Sequence, residues 1–143
     1  MFIGEYKYNL DNKNRLALPC KFRKLFSAGA VITRELDNCL FIYTAKEWAK
    51  LVEKLAALPI SQAKSRAFSR LMLAGAMDSR LDGQGRIMVP DYLKGFANLK
   101  KEVVVAGLYN RLEVWDEILW SQYQRTSEKD SNEIAEGLTG LGV

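Results

Sequence analysis

The stretch Asp82-Gly83-Gln84-Gly85-Arg86-Ile87-Met88-Val89-Pro90 has a looser twin at Asp11-Asn12-Lys13-Asn14-Arg15-Leu16-Ala17-Leu18-Pro19. Asp, Arg and Pro keep their spacing, and the residues between Arg and Pro are apolar both times. The match continues downstream. Pro19 leads through an amphipathic piece to Val31-Ile32-Thr33 and then Leu40-Phe41-Ile42-Tyr43. Pro90 leads through another to Val103-Val104-Val105 and then Leu112-Glu113-Val114-Trp115. The offset is 71 at the Asp and 72 at the later segments, so one inserted residue aligns the two stretches. An internal repeat of this kind folds as two copies of one unit.

Each motif reads as a tight turn. Gly83 and Gly85 accept positive φ, and Asn14, standing where Gly85 does, is the next most tolerant residue. Asp11 and Asp82 can each bond backbone N–H groups two residues on, which shapes the turn. Arg15 and Arg86 then fall at the far edge of their turns. Pro19 and Pro90 suit the first turn of a helix, where a missing N–H costs nothing. Each unit should therefore run strand, hairpin turn, short strand, short helix.

The remaining elements can be read from periodicity. Phe2 to Leu10 alternates as a half-buried strand. Thr44 with Glu47 forms a capping box that starts a helix whose stripe is Trp48, Leu51, Val52 and Leu55. A further helix from Ser61 to about Leu73 carries Lys64, Arg66 and Arg70 and no acid. It has no counterpart before Phe2, so it should connect the halves. Asp116 caps a helix through Leu119, Trp120 and Tyr123. The expected divisions are residues 1–60 and 76–125 for the two halves and 61–75 for the connecting helix. Residues 126–143 should form a polar, acidic, mobile tail. The class is α+β.

Charge and chemistry narrow the function. Residues 126–143 carry a net −3, leaving +7 on residues 1–125 of a chain whose net charge is +4. Lys7, Lys13, Lys21, Arg23 and Lys24 crowd the N-terminal segment. That asymmetry points to a polyanion or to an ordinary solvated face. No histidine is present, which removes the commonest general base and any Ser–His or Cys–His nucleophile. Cys20 and Cys39 stand alone, without the spacing of a zinc site, and should be at least partly buried free thiols. Gly83-x-Gly85 lacks the third glycine of a dinucleotide fingerprint, for Met88 occupies that place. Neither a cofactor, a metal, a membrane span nor an enzymatic activity is expected, and the compartment should be the cytosol. Arg15 and Arg86 have two readings. They present bidentate donors to guanine or phosphate, or each merely pairs with the Asp four residues back.

The two D-x-x-x-R motifs, each leading into apolar residues and Pro, resemble the MraZ family. So do the start Met1-Phe2-Ile3-Gly4 and the run Leu112-Glu113-Val114-Trp115-Asp116-Glu117. The resemblance spans Met1 to about Tyr123. It implies a double-split β-barrel of the swapped-hairpin AbrB type, with both halves fused in one chain. It also implies a bacterial, nucleoid-associated regulator of the division and cell-wall gene cluster, assembled into a ring on double-stranded promoter DNA. The family motif falls on Asp11 and Arg15 and on Asp82 and Arg86, with Asn14 in place of the usual Gly. On that basis Arg15 and Arg86 should contact DNA, Lys13 should reach phosphate, and Lys7, Lys21, Arg23 and Lys24 are further candidates. The rival is an oligomeric protein-interaction scaffold whose turns bind an acidic surface.

Overall fold

The structure, a computed structural model describing residues 1–143, is an α+β fold whose strands come in two matched sets. The first set is β1 (Phe2–Asn9), β2 (Arg15–Ala17), β3 (Ala30–Arg34) and β4 (Leu40–Thr44). The second is β5 (Met77–Ser79), β6 (Arg86–Met88), β7 (Glu102–Tyr109) and β8 (Leu112–Asp116). Six strands form one antiparallel sheet in the order β1-β7-β8-β4-β3-β5, and β2 pairs with β6 in a separate ribbon. Exchanging the halves turns that order into its own reverse, so a pseudo-twofold axis runs between β4 and β8. Phe41 faces Glu113 on that axis.

The halves are interleaved. β1 pairs with β7 and β5 with β3, so the first strand of each half completes the sheet of the other. This differs from the local hairpin expected at each motif. The turns close locally through Asp11 N–H to Arg15 O and Asp82 N–H to Arg86 O, but β2 and β6 ladder only with each other. The barrel implied by the family resemblance is not closed, for β1 and β5 remain free edges. β2 and β6 are three residues long and ladder only with each other, which leaves those edges unpaired.

Register also refines the repeat. Tyr6 faces Val105 in one half where Met77 faces Ile32 in the other, so Ile32 corresponds to Val105 and the offset there is 73. It returns to 72 at β4 and β8, where Leu40–Val114 and Ile42–Leu112 exchange. The extra residue lies in the β3–β4 turn, where Asp37 and Asn38 both adopt left-handed φ. The one-residue difference matters because it exchanges the two faces of a strand. Ala30 and Ile32 therefore match Val103 and Val105, all four in the main core.

Two cores cover the two faces of the sheet. The main one joins Phe2, Phe22, Phe26, Ile32, Leu40 and Val105 to the ribbon, whose Leu16, Leu18, Ile87 and Val89 are completely buried. Full burial of a side chain of this size stabilises by about 1.5–3 kcal/mol. The smaller core holds Cys39, Phe41, Tyr43 and Trp115, with Trp48 and Trp120 packed against it. Cys39 is thus buried, whereas Cys20 is exposed.

Helices α1 (Ala45–Ala56), α2 (Ala63–Ser69), α3 (Asp91–Phe96), α4 (Glu117–Lys129) and α5 (Ser131–Gly137) complete the chain. Thr44 Oγ1 accepts from Glu47 N–H at 3.2 Å, but the Glu47 carboxylate turns to Lys50 instead of back to Thr44, so the capping box is half made. Asp116 Oδ2 caps α4 through the N–H groups of Ile118 and Leu119. The segment from Thr126, expected as a mobile end, continues as helix to Gly137. After α2 the connecting helix widens into a π turn, Arg70–Ala74. Its carbonyls are taken up by β3: Thr33 Oγ1 donates to Met72 O at 2.6 Å and Arg34 Nε to Leu71 O at 3.2 Å. No helix is long and apolar enough to cross a membrane.

Candidate nucleic-acid interface

The period of a strand decides what the ribbon shows. Leu16 and Ile87 face each other inward, which turns Arg15, Ala17, Arg86 and Met88 outward. Arg15 stands opposite Met88 and Arg86 opposite Ala17, so the two guanidinium groups are diagonal neighbours on one small surface. Two further bonds, one to each turn, lock the turns to the opposite halves. Leu18 N–H donates to Gly85 O at 3.0 Å, and Val89 N–H to Asn14 O at 2.8 Å.

Each Asp organises its own turn. Asp11 Oδ1 accepts from the N–H of Lys13 at 2.8 Å and of Arg15 at 2.9 Å, while Oδ2 accepts from Arg15 Nε at 2.6 Å. Asp82 Oδ1 accepts from Gln84 and Arg86 N–H, both at 2.9 Å, and Oδ2 from Arg86 Nε at 2.8 Å. Asp11 also lies 3.7 Å from Arg86 Nη1, which bridges the two motifs. The Arg15 backbone N–H, helped by the Arg15 side chain and the Lys13 N–H, holds the Asp11 carboxyl down to about 2. The Arg86 backbone N–H lowers Asp82 in the same way. Both carboxylates are therefore ionised throughout the neutral range.

The pairing of each Arg with its own Asp is thus real, but it engages the Nε edge. Arg15 makes no other side-chain hydrogen bond, and its side chain is 30% exposed against 26% for Arg86. A guanidinium has five N–H donors, so the terminal amino groups of Arg15 remain unpaired, while Arg86 turns Nη1 towards Asp11 and keeps Nη2 unpaired. Holding the Nε edge also fixes the aim of the rest, which reduces the entropy lost on binding.

The left-handed position of each turn is occupied as the residues allow. Asn14 has φ 58° and Gly85 φ 73°. Gly83 does not take positive φ, and a Cβ there would meet nothing, so that glycine is not needed for the turn. A basic residue from the opposite half's helix covers each turn. Lys94 Nζ donates to Asn14 Oδ1 at 3.0 Å, while Asn14 Nδ2 donates to Asp91 Oδ1 at 2.8 Å. Arg23, the counterpart of Lys94, crosses over Gly85 and donates its Nε to Leu18 O at 2.9 Å. A Cβ on Gly85 would collide with that guanidinium.

The other basic candidates divide. Lys13 is exposed within the first turn, and Lys24 is exposed on the 3-10 turn Cys20–Phe26. Lys21 lies over the rings of Tyr6 and Phe22, 5.2 and 5.1 Å from their centroids. Lys7 is not brought to the ribbon. It alternates with Tyr6 and Tyr8, which pack on the main core, and so points to the opposite face, 3.4 Å from Glu117 of α4. Sequence reasoning missed Lys94 and Asp91. The signal was available, because Lys94 and Arg23 hold the same place in the repeat.

The smaller core holds charge that the sequence did not disclose. Glu113 accepts from Trp115 Nε1 at 3.0 Å and Arg111 Nη2 at 3.3 Å, and the Arg111 guanidinium stacks 4.4 Å over Phe41. Burial pushes the nearby Glu35 carboxyl up. This group lies on the sheet face opposite the ribbon.

Fold and site together define an internally duplicated α+β protein whose two Asp–Arg turns meet in one ribbon. A family model described as "MraZ protein, putative antitoxin-like" matches twice, over residues 1–71 and 72–141. The chain is 45% identical to the transcriptional regulator MraZ of Halothermothrix orenii over 143 residues, the whole of both chains. It is 43% identical, again over the whole of both chains, to the proteins of that name from Natranaerobius thermophilus and Desulfitobacterium hafniense DCB-2. The chain belongs to the MraZ family.

Proposed function

We propose that this chain is a sequence-specific DNA-binding transcriptional regulator that reads tandem short direct repeats through the β2–β6 ribbon. The observation that carries the reading is the meeting of Arg15 and Arg86 on one outward surface, each fixed along its Nε edge, with both terminal amino groups of Arg15 and Nη2 of Arg86 free. The major groove of B-DNA admits a two-stranded ribbon, and Arg is the commonest bidentate partner of guanine O6 and N7. Lys13 in the first turn, and Arg23 and Lys94 over the two turns, stand at the ribbon, and with Lys21 and Lys24 they are the proposed phosphate contacts that set register. Lys7 is left out, since it lies on the other face. Asp11 and Asp82 are spent on the turns, so their charge is already paired when DNA approaches. The names of the relatives support regulation of transcription.

The exchange of first strands between halves supports the kinship with swapped-hairpin AbrB-type split barrels. The finer reading places the protein in the bacterial cytoplasm on the nucleoid, acting at the promoter of its own division and cell-wall cluster as a ring-shaped homo-oligomer. One ribbon is too small a surface for tight specific binding, because single modules bury little area. A ring presents it repeatedly. The first repeat bound raises the effective concentration for the next, so affinity climbs with repeat number. The test compares duplexes carrying one to four repeats, then four with half a helical turn inserted. Affinity should rise by orders of magnitude with number and fall on insertion. Equal affinity for one and four repeats, or a harmless insertion, overturns the mechanism. A scaffold that binds an acidic protein surface would bind all these duplexes alike.

A further inference from the structure

Beyond the matched helices α1 and α4 the two halves diverge in charge. From Ser61 to Met77 the chain carries Lys64, Arg66 and Arg70 and no acid. From Ser131 to Val143 it carries Glu133 and Glu136 and no base. Both stretches also show apolar side chains to solvent. A groove beside α1 and α2 is lined by Leu55, Leu58, Pro59, Ile60 and Leu73, with Arg66 and Arg70 among its walls. Ile60 is 84% exposed there. Arg66 Nη1 donates to Ile60 O at 3.0 Å, which holds the groove's loop in place. In the acidic segment Ile134 and the C-cap residue Leu138 are exposed four residues apart on one side of α5, and Leu141 is exposed beyond the helix end.

We propose that the α1–α2 groove receives the acidic segment Ser131–Val143 of a second copy of this chain. The proposal rests on the self-association proposed above and names its contact. Apolar side chains of the segment fill the groove, and Glu133 and Glu136 meet Arg66 and Arg70. That arrangement, an apolar centre with a complementary charged rim, is the common anatomy of a specific interface. Each copy carries one groove and one segment of opposite charge. The contact is therefore heterologous: it adds copies head to tail and makes a ring when the rotation closes. A face-to-face dimer through two grooves is disfavoured, because its like charges would oppose each other.

The test measures the mass of the full chain by sedimentation across concentration, for the natural sequence, Arg70→Glu, and Glu133→Arg with Glu136→Arg. Each variant should shift dissociation by about tenfold or more in concentration, since like charges in a contact are costly. An equimolar mixture of the two variants should recover the natural mass, because each reversed groove then meets a reversed segment. If the natural chain is a monomer throughout, the self-association reading itself falls. If the natural chain is oligomeric and both variants stay so, this contact is wrong while self-association stands. A second measurement guards against a folding defect. Ile60→Cys with Leu138→Cys, in a Cys20→Ser background, should oxidise to a ladder of linked copies. Exclusive cross-linking within one chain, or none in an oligomer, overturns docking of a second copy.

Discussion

The first and second turns of the ribbon reach one geometry with different residues. Between Asp and Arg one has Asn12-Lys13-Asn14 and the other Gly83-Gln84-Gly85. Nevertheless each Asp accepts the same backbone N–H pair and the same Arg Nε, and each fourth residue is left-handed. The difference lies in what covers that left-handed residue. Asn14 is held by a polar clamp from Lys94 and Asp91, whereas Gly85 leaves room for Arg23 to lie across its backbone. What the turn requires is thereby separated from what it tolerates. Asp, Arg, a left-handed fourth position and two buried residues before Pro are required. The second and third positions are free, and in the first turn one of them supplies an exposed lysine.

The largest effect should come from the buried side of the two turns. Leu16 and Ile87 are both completely buried and face each other. Leu16→Ala or Ile87→Ala should each cost about 2–5 kcal/mol, measured by denaturant unfolding. Near-equal losses support the symmetric ribbon, and a harmless change at one site breaks it. A smaller, deliberately unequal effect is expected at the left-handed positions. Gly85→Ala adds backbone strain and displaces Arg23, for about 1–3 kcal/mol. Asn14→Gly keeps the conformation and loses only partly exposed hydrogen bonds, so it should cost less, on the order of 1 kcal/mol. Thermal unfolding of the two variants reads the difference directly, and the reverse ranking would show that the two covers are not as described.

The smallest expected effect is a pH dependence. Asp11 and Asp82 have folded values below the usual carboxylate range, Asp11 at about 2. A carboxylate lowered by folding contributes stability that is fully present above its unfolded value. That stability is lost as pH falls through the folded one. The turns should therefore hold unchanged above about pH 5 and loosen as pH falls towards 2. Asp11→Asn with Asp82→Asn should flatten the difference in melting temperature over that window. A natural chain whose melting curve falls no faster than the double variant's would contradict the turn's electrostatics.

Much of this was legible in the sequence because it depends on local spacing. Alternation in β1, the apolar pairs before each Pro and the cap at Asp116 are short-range signals. The partners were not legible. Whether β2 pairs with β1 or with β6 is decided by which arrangement buries Leu16 against Ile87, and no local signal carries that. The one-residue register difference between β3 and β7 was hidden because Val31 and Val104, on the outer face, are apolar and buried too, so neither strand alternates in its sequence. The clamp on Asn14 joins residues 77 and 80 positions apart. Only a comparison of Arg23 with Lys94 across the repeat could have suggested it. The continuation of helix to Gly137 was masked by polar composition, which reads as a free end.

In the proposed mechanism two aimed arginines, one from each turn, form the reading surface. Their role is read by the affinity of Arg15→Ala and Arg86→Ala for the repeat-bearing duplex and for an unrelated one, by fluorescence anisotropy with circular dichroism as a control. Each variant should lose about 1–3 kcal/mol of specific binding, while binding to the unrelated duplex falls far less. Wild-type affinity for the repeats in both variants, with the fold intact, would show that the ribbon is not what reads the DNA.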